Sequence, residues 1–385
     1  MIVQDLLDAM EHIAPLKHAE DWDKVGLALG VPDRPIAGPI LLTIDLTERV
    51  LVEALELGVG AIIAYHPPIF SPLDRLTDAT HTQRIIRGAI EAGIAIYSPH
   101  TALDAAVDGV TDWLCEGISS KPGQAKPGAI QGDCRAMIPS LGGDTNREVK
   151  VITFVPSDQV DNLRNVLGTA GAGGMGNYRL CSFSTQGEGT FLPQPGANPT
   201  VGKVGSLERV AETRIEMVCS KHALALVIET LKEFHPYETP AYDIIELIQE
   251  PIRKIGAGRR LVLDQTATIT ELASRLRSHL DRSRIRYALA DDDENRQFKV
   301  IGVVPGSGGS MAQLAKDEGC ELFITGEMTH HEILAASQSG LSILLAGHTN
   351  TERGYLKRLR EKLIKLLPGA AVVVSTVDQD QIKIG

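Results

Sequence analysis

Four short apolar runs in this chain each stop at a cluster of histidine and carboxylate residues. Ala61-Ile62-Ile63-Ala64 is followed by Tyr65-His66-Pro67-Pro68, and Ile94-Ala95-Ile96-Tyr97 by Ser98-Pro99-His100 and then Asp104. Leu322-Phe323-Ile324 runs into Thr325-Gly326-Glu327 and His330-His331, and Ile343-Leu344-Leu345-Ala346 into Gly347-His348 and Glu352. Imidazole mixed with carboxylate suits Zn, Fe, Mn or Ni, whereas Ca and Mg prefer shells of oxygen alone. His348 and Glu352 are four apart, a helical spacing that puts Cβ atoms about 5–6 Å from each other on one face. Both can therefore reach one ion. A glutamate in a first helical turn also serves the helix dipole with no chemistry; His66 and Asp104 in matching positions turn the balance toward metal. A carboxylate such as Glu352 can also bridge two ions, and paired ions activate water for hydrolysis.

Glu327 and His331 repeat the spacing of four. Glu327, His330 and His331 are candidates for further ligands, for groups that orient ligands, or for proton carriers. A polar helix start without chemistry is the plainer alternative. His100, four residues before Asp104, carries the same choice. The turn Gly306-Ser307-Gly308-Gly309-Ser310 could cradle an anion at a helix start. It fits neither a Walker nor a Rossmann pattern, and a turn that needs positive φ explains it as well. His235-Pro236-Tyr237-Glu238 reads as a packed turn, and Cys219 and Cys320 as core residues.

The elements that must position these groups follow from the apolar pattern. Short apolar runs bounded by Gly or Pro read as parallel strands buried on both faces, and ligands bind beyond the carboxyl ends of such strands. Over the first 120 residues strands alternate with amphipathic helices, one bearing Val3, Leu6, Leu7, Met10 and Ile13, another capped by Thr47. This is a βαβ series. Lys121 to Gly128, rich in Pro and Gly, reads as a crossing between domains. A second rhythm follows: strand 149–155, a helix through Val160 and Leu167, a strand near Tyr178 to Phe183, an exposed loop over 186–206, strand 214–219, a helix after Ser220, and strand 242–247. Two successive β-α-β units predict an α+β domain of ferredoxin-like type. From Gly256 the first rhythm returns, ending in a helix with Leu356, Leu359 and Leu363 and a strand over 371–375. The expected architecture is α/β: mostly parallel or mixed sheets flanked by helices in a discontinuous core, residues 1–146 with 251–385, interrupted by an inserted ferredoxin-like α+β domain at 147–250. One continuous sheet is expected to draw strands from both halves of the core.

At 385 residues the chain exceeds one ordinary domain, and 43% hydrophobic residues suffice for a core. No run approaches the roughly 20 apolar residues of a membrane span, and the start Met1 to Asp5 lacks the basic and apolar regions of a signal peptide. Five scattered cysteines argue against a disulfide framework and fit a cytoplasmic protein. A net charge of −11 disfavours nucleic acid as a partner.

Tyr65-His66-Pro67-Pro68-Ile69-Phe70, Ser98-Pro99-His100-Thr101-Ala102-Leu103-Asp104, Thr325-Gly326-Glu327-Met328-Thr329-His330-His331 and Gly347-His348-Thr349-Asn350-Thr351-Glu352-Arg353-Gly354 resemble, in this order, the four signatures of the NIF-three-like family of dinuclear-metal-centre proteins, the GTP cyclohydrolase 1 type 2 homologues. Asp21-Trp22-Asp23-Lys24-Val25-Gly26-Leu27 and the Gly306 turn match its pattern too. The resemblance covers nearly the whole chain and implies His66, Asp104, His348 and Glu352 as metal ligands, with Glu352 as the bridge. One or two divalent ions, Zn, Fe or Mn, are implied, together with a homohexamer whose sites face an inner cavity. Many bacterial members have His-His-Pro where this chain has Tyr65-His66-Pro67, which replaces an imidazole with a phenol, a group that can ligate iron. Ala102 and Lys24 stand where asparagines are usual. The function implied is a metal-dependent hydrolase that acts on a nucleotide-like or phosphorylated small molecule. The alternative is a metal-binding or partner-binding scaffold without catalysis.

Overall fold

Each of the four apolar runs becomes a short strand, Ala61–Ala64, Ala95–Ser98, Leu322–Thr325 and Ser342–Leu345, buried at every position. A computed structural model describes residues 1–142, 145–282 and 284–382. The chain divides into two compact units, Met1–Ser140 with Ile252–Gly385, and Leu141–Pro251.

The larger unit holds two sheets, not the single continuous sheet expected. The first has the order Gly26–Leu29, Ala95–Ser98, Ala61–Ala64, Ile40–Thr43, Val372–Val374. All its neighbours run parallel except the first pair. The second has the order Arg286–Ala288, Ser342–Leu345, Leu322–Thr325, Phe298–Val303, Glu250–Ala267, Gly132–Gly142. Its three central strands, Phe298–Val303, Leu322–Thr325 and Ser342–Leu345, are parallel. Each sheet borrows one strand from the far side of the insertion: Val372–Val374 joins the first, and Gly132–Gly142 the second.

The physical reason for two sheets lies in how the strands' faces are covered. Ile40, Leu42 and Ile63 share one apolar cluster with Leu261, Ile301, Ile324 and Leu344, and the helices Val110–Ser119, Ile269–Leu280 and Leu356–Leu366 contribute to it. The intervening residues point the other way. Leu41, Ile62 and Ile96 pack with Val50, Leu51, Ile85 and Ile86 from the helices Glu48–Glu56 and His81–Ala92. Phe323, Ile343 and Leu345 pack with Ala312, Ala315 and Ala336. The central parallel strands are covered on both faces and so are mostly apolar at every position, and the sequence carries no mark of which sheet such a strand joins.

The smaller unit runs strand Val149–Pro156, helix Val160–Thr169, strands Phe183–Phe191 and Glu208–Cys219, helix Lys221–Phe234, strand Tyr242–Glu246. Its sheet order is Phe183–Phe191, Glu208–Cys219, Val149–Pro156, Tyr242–Glu246, with every pairing antiparallel. That is a split β-α-β arrangement, with Val151, Val155, Leu163, Ile215, Met217 and Leu231 in its core. Two expectations fail here. The strand placed near Tyr178 starts only at Phe183, and residues 186–191 of the expected loop belong to it. This edge strand is mostly exposed and carries polar residues on both faces, so it lacks the alternation that announces a strand. Lys121 to Gly128 is not a crossing either; it lies inside the larger unit, ahead of the strand Gly132–Gly142. Among the described residues no helix is long and apolar enough to cross a membrane.

One packing contact in the larger unit is sensitive to pH. The His279 ring packs at a tilt against Trp113 with centroids 4.5 Å apart, and Gly117 leaves it room, since a Cβ there would lie 2.3 Å from the ring. Burial lowers the His279 imidazole to about 4. In the unfolded chain a histidine titrates near 6.5, so between about pH 6.5 and 4 the unfolded state binds more protons. Stability is complete above that window and falls with pH through it, by on the order of 3 kcal/mol from this group. Thermal melts at pH 7 and pH 4.5 should show a smaller loss for His279→Gln than for the native protein. Equal losses would remove His279 from the account.

Candidate metal centre

Five of the polar residues that converge here leave adjacent parallel strands. In the first sheet, Asp45 follows Ile40–Thr43, His66 follows Ala61–Ala64, and His100 follows Ala95–Ser98. In the second, Glu327 follows Leu322–Thr325 and His348 follows Ser342–Leu345, with the Gly306 turn beyond Phe298–Val303. Glu352 sits on the short helix Asn350–Arg353. Thr351 fixes that helix: its hydroxyl donates to the His348 carbonyl (2.6 Å) and accepts from the Gly306 amide (2.8 Å).

Three histidines are each held through Nδ1 by a carboxylate. His66 pairs with Asp45 at 2.8 Å, His348 with Glu327 at 2.8 Å, and His100 with Asp23 at 2.9 Å. Their rings crowd together, His66 lying 5.3 Å from His100 and 5.4 Å from His348. Carboxylates behind Nδ1 fix the ring orientation and leave Nε2 as the ligand atom, as outer partners do in metal sites. His66 Nε2 lies 3.5 Å from Glu352 Oε2, and His348 Nε2 lies 3.4 Å from Glu352 Oε1. Ligands about 2.0–2.2 Å from a tetrahedral ion stand about 3.4 Å from each other. These three side chains form a group whose ligand atoms lie within 4.8 Å of one another.

Two further observations fit a cation here. Glu352 is 2% exposed, and its Oε2 is buried without a hydrogen-bond partner among the described residues. Gly306 has φ +62, and a Cβ on it would lie 2.7 Å from Glu352 Oε1 and 3.2 Å from His348 Nε2. The glycine keeps that space open. It serves the left-handed turn as well, so the turn read as a helix-start cradle borders the histidines.

The electrostatics ask for positive charge. Burial works against a charged His66, but the hydrogen bond to Asp45 and the nearby carboxylate of Glu352 outweigh it and lift the imidazole to about 10. Burial would raise Asp23, yet hydrogen bonds from His100 and Thr101 hold it at about 2. Asp45 is likewise held low by His66 despite its burial. The His100 backbone has φ +25, a conformation unfavourable for a side chain and typical of functional sites.

Of the expected ligands, His66, His348 and Glu352 come together, whereas Asp104 stands outside this group. Asp104 Oδ1 instead accepts a hydrogen bond of 2.5 Å from the Tyr65 hydroxyl. Burial pushes Asp104 up to about 7; the charge on Glu352 adds to this, while His100, the Tyr65 hydroxyl and His66 oppose it. His100 lies among the converging rings, and Glu327 orients His348. His330 and His331 lie exposed at the start of the helix His330–Gln338, their rings 5.6 Å apart. Thr329 and Glu332 form a capping box around that helix start, and no described hydrogen bond or ion pair joins either histidine to the centre. Sequence reasoning missed Asp45, although it follows a buried strand as His66 and His348 do. It gave no role to Asp23.

The chain matches the model of the Duf34/NIF3 (NGG1p interacting factor 3) family over residues 1–381. A Halalkalibacterium halodurans protein named "GTP cyclohydrolase 1 type 2 homolog" is 34% identical over 98% of this chain and 97% of its own length. A Bacillus subtilis protein of the same name is 34% identical over 90% of this chain and 87% of its own length. Among solved structures, a Bacillus cereus protein related to NIF3 is 31% identical with a TM-score of 0.64, covering 100% of this chain and 99% of that one. A Staphylococcus aureus protein is 26% identical with a TM-score of 0.73 over the same shares.

Proposed function

Because the chain belongs to the Duf34/NIF3 family, we propose that it is a metal-dependent hydrolase acting on a nucleotide-like or phosphorylated small molecule at the His66, His348 and Glu352 centre. The observation that carries this reading is the Glu352 carboxylate, buried between two imidazoles that are themselves oriented by Asp45 and Glu327. The relatives' name, "GTP cyclohydrolase 1 type 2 homolog", points to the same substrate class. A divalent transition-metal ion bound there supplies Lewis acidity and acidifies water near neutral pH.

The chain's own groups divide the remaining work. Asp45 and Glu327 hold the two imidazoles in the tautomer that offers Nε2. His100, braced at Nδ1 by Asp23 and packed edge-on against Trp22 at 6.0 Å, is the group placed to carry a proton at Nε2. Glu327 is tied to His348, and the exposed His330 and His331 receive no role in this reading. The homohexamer and cytoplasmic location implied by the sequence resemblance belong to the same proposal.

The test is a turnover screen of metal-replete protein against nucleotides and phosphoesters. On any substrate found, His100→Ala should lower turnover by about 10²–10⁴-fold with metal content unchanged, and His330→Ala and His331→Ala should leave turnover intact. Full turnover in His100→Ala would remove that residue's role. Silence against the whole panel would favour the scaffold alternative.

A further inference from the structure

Beside the histidine and glutamate group lies a second place with ligand-type oxygens. It is formed by Asp104 and the Tyr65 phenol, both within reach of the charge on Glu352. Its state differs from that of the first place. The imidazole beside it, His100, is braced by Asp23 and not by either of these oxygens. The Tyr65 hydroxyl donates to Asp104 Oδ1 at 2.5 Å, so the acid is already partnered by a neutral proton donor.

The phenol cannot readily swing away. Tyr65 is 2% exposed and packs in the main apolar cluster with Ala102 and Leu103. Its carbonyl is held by the Ser98 hydroxyl at 2.8 Å and the His100 amide at 3.2 Å. Its ring meets His66 at 5.0 Å and His100 at 5.5 Å, both edge-on. A second ion at Asp104 would have to break the Tyr65 hydrogen bond. It would gain a neutral phenol, a poor ligand, in place of a nitrogen. His100, the histidine whose ring meets Tyr65, is braced at Nδ1 by Asp23, and the proposed function gives its Nε2 to proton transfer.

We propose that this chain holds one transition-metal ion, at His66, His348 and Glu352, and that the Tyr65–Asp104 hydrogen bond closes the place a second ion would take. Two histidines and one carboxylate with open positions form a facial set suited to Fe(II), Mn or Zn. Tyr65 is then a positioning residue that sets metal number by occupying Asp104. The inference rests on the metal reading of the preceding subsection but does not depend on the substrate.

The experiment titrates metal-free protein with Zn(II), reading bound metal after dialysis, and with Co(II), reading its visible spectrum. The native chain should saturate at one equivalent with a single spectrum. Asp104→Asn should also bind one equivalent, because it removes no ligand of the first ion and adds none for a second. Tyr65→His should rise to two equivalents, a gain that a merely structural role for Tyr65 would not give. Two equivalents in the native chain would overturn the proposal, as would a Tyr65→His protein that folds and stays at one. Loss of the first ion in Asp104→Asn would overturn it even if Tyr65→His does not fold. No bound metal in the native chain would overturn the metal reading itself, and this inference with it.

Discussion

Substituting Glu352 with alanine is expected to strip the centre of its ion more completely than any other single change. The carboxylate is 2% exposed and lies 3.5 Å from one imidazole nitrogen and 3.4 Å from the other, so its removal takes the shared anionic ligand from both. Changes behind the ligands should be milder. Asp45→Ala or Glu327→Ala leaves all three ligand atoms in place and frees only a ring orientation, which costs roughly 10–100-fold in affinity. Glu352→Ala should exceed that range, and metal analysis of the purified variants ranks them directly. The fold should survive, because Thr351, not Glu352, ties this turn to Gly306 and to the His348 carbonyl. Circular dichroism separates metal loss from unfolding. Unchanged metal content in folded Glu352→Ala would remove this residue from the centre.

The site was more legible in the sequence than the sheets that build it. His66, His348 and Glu352 stand out because each polar cluster follows a run of buried residues, and polar residues there have no packing reason to exist. Asp45 obeys the same rule after Ile40–Thr43, and only its isolation as a single carboxylate concealed it. The pairing of strands was not legible. Leu41 and Leu42 face opposite layers, yet both are leucine because both layers are apolar. Nor could spacing show that Tyr65 would turn its hydroxyl to Asp104, 39 residues away. That contact depends on parallel pairing between Ala61–Ala64 and Ala95–Ser98.

Arg259 poses the same problem with a larger energetic consequence. In sequence it stands in Gly256-Ala257-Gly258-Arg259-Arg260, where nothing marks it as buried. In the fold its side chain is 1% exposed. Nε donates to Asp112 at 2.6 Å, Nη1 to the carbonyls of Gly256 and Gly258 at 2.8 and 2.9 Å, and Nη2 to those of Ala105 and Ala106 at 3.1 and 3.2 Å. The five N–H donors of a guanidinium are thus all used. Gly258 makes this possible, with φ +58 and Met137 and Met311 crowding the place of a Cβ. The second oxygen of Asp112 accepts from the Asp108 amide at 2.8 Å, so the buried pair is satisfied on both sides. Removing one member leaves a buried charge and several carbonyls unpaired, a loss of about 3–5 kcal/mol. Arg259→Met should therefore lower the urea midpoint of the larger unit sharply. Arg259→Lys, with three donors and no planar fork, should recover only part of the loss. The double change Arg259→Met with Asp112→Leu should be more stable than Arg259→Met alone, because it leaves no unpaired carboxylate. Because Ala105 and Ala106 directly follow Asp104, Arg259→Met should also loosen the end of the helix His100–Ala105. Hydrogen exchange over residues 100–106 reads that loosening. An Arg259→Met protein that stays within about 1 kcal/mol of the native one, within the ordinary range for exposed positions, would show that this buried pair contributes little to stability.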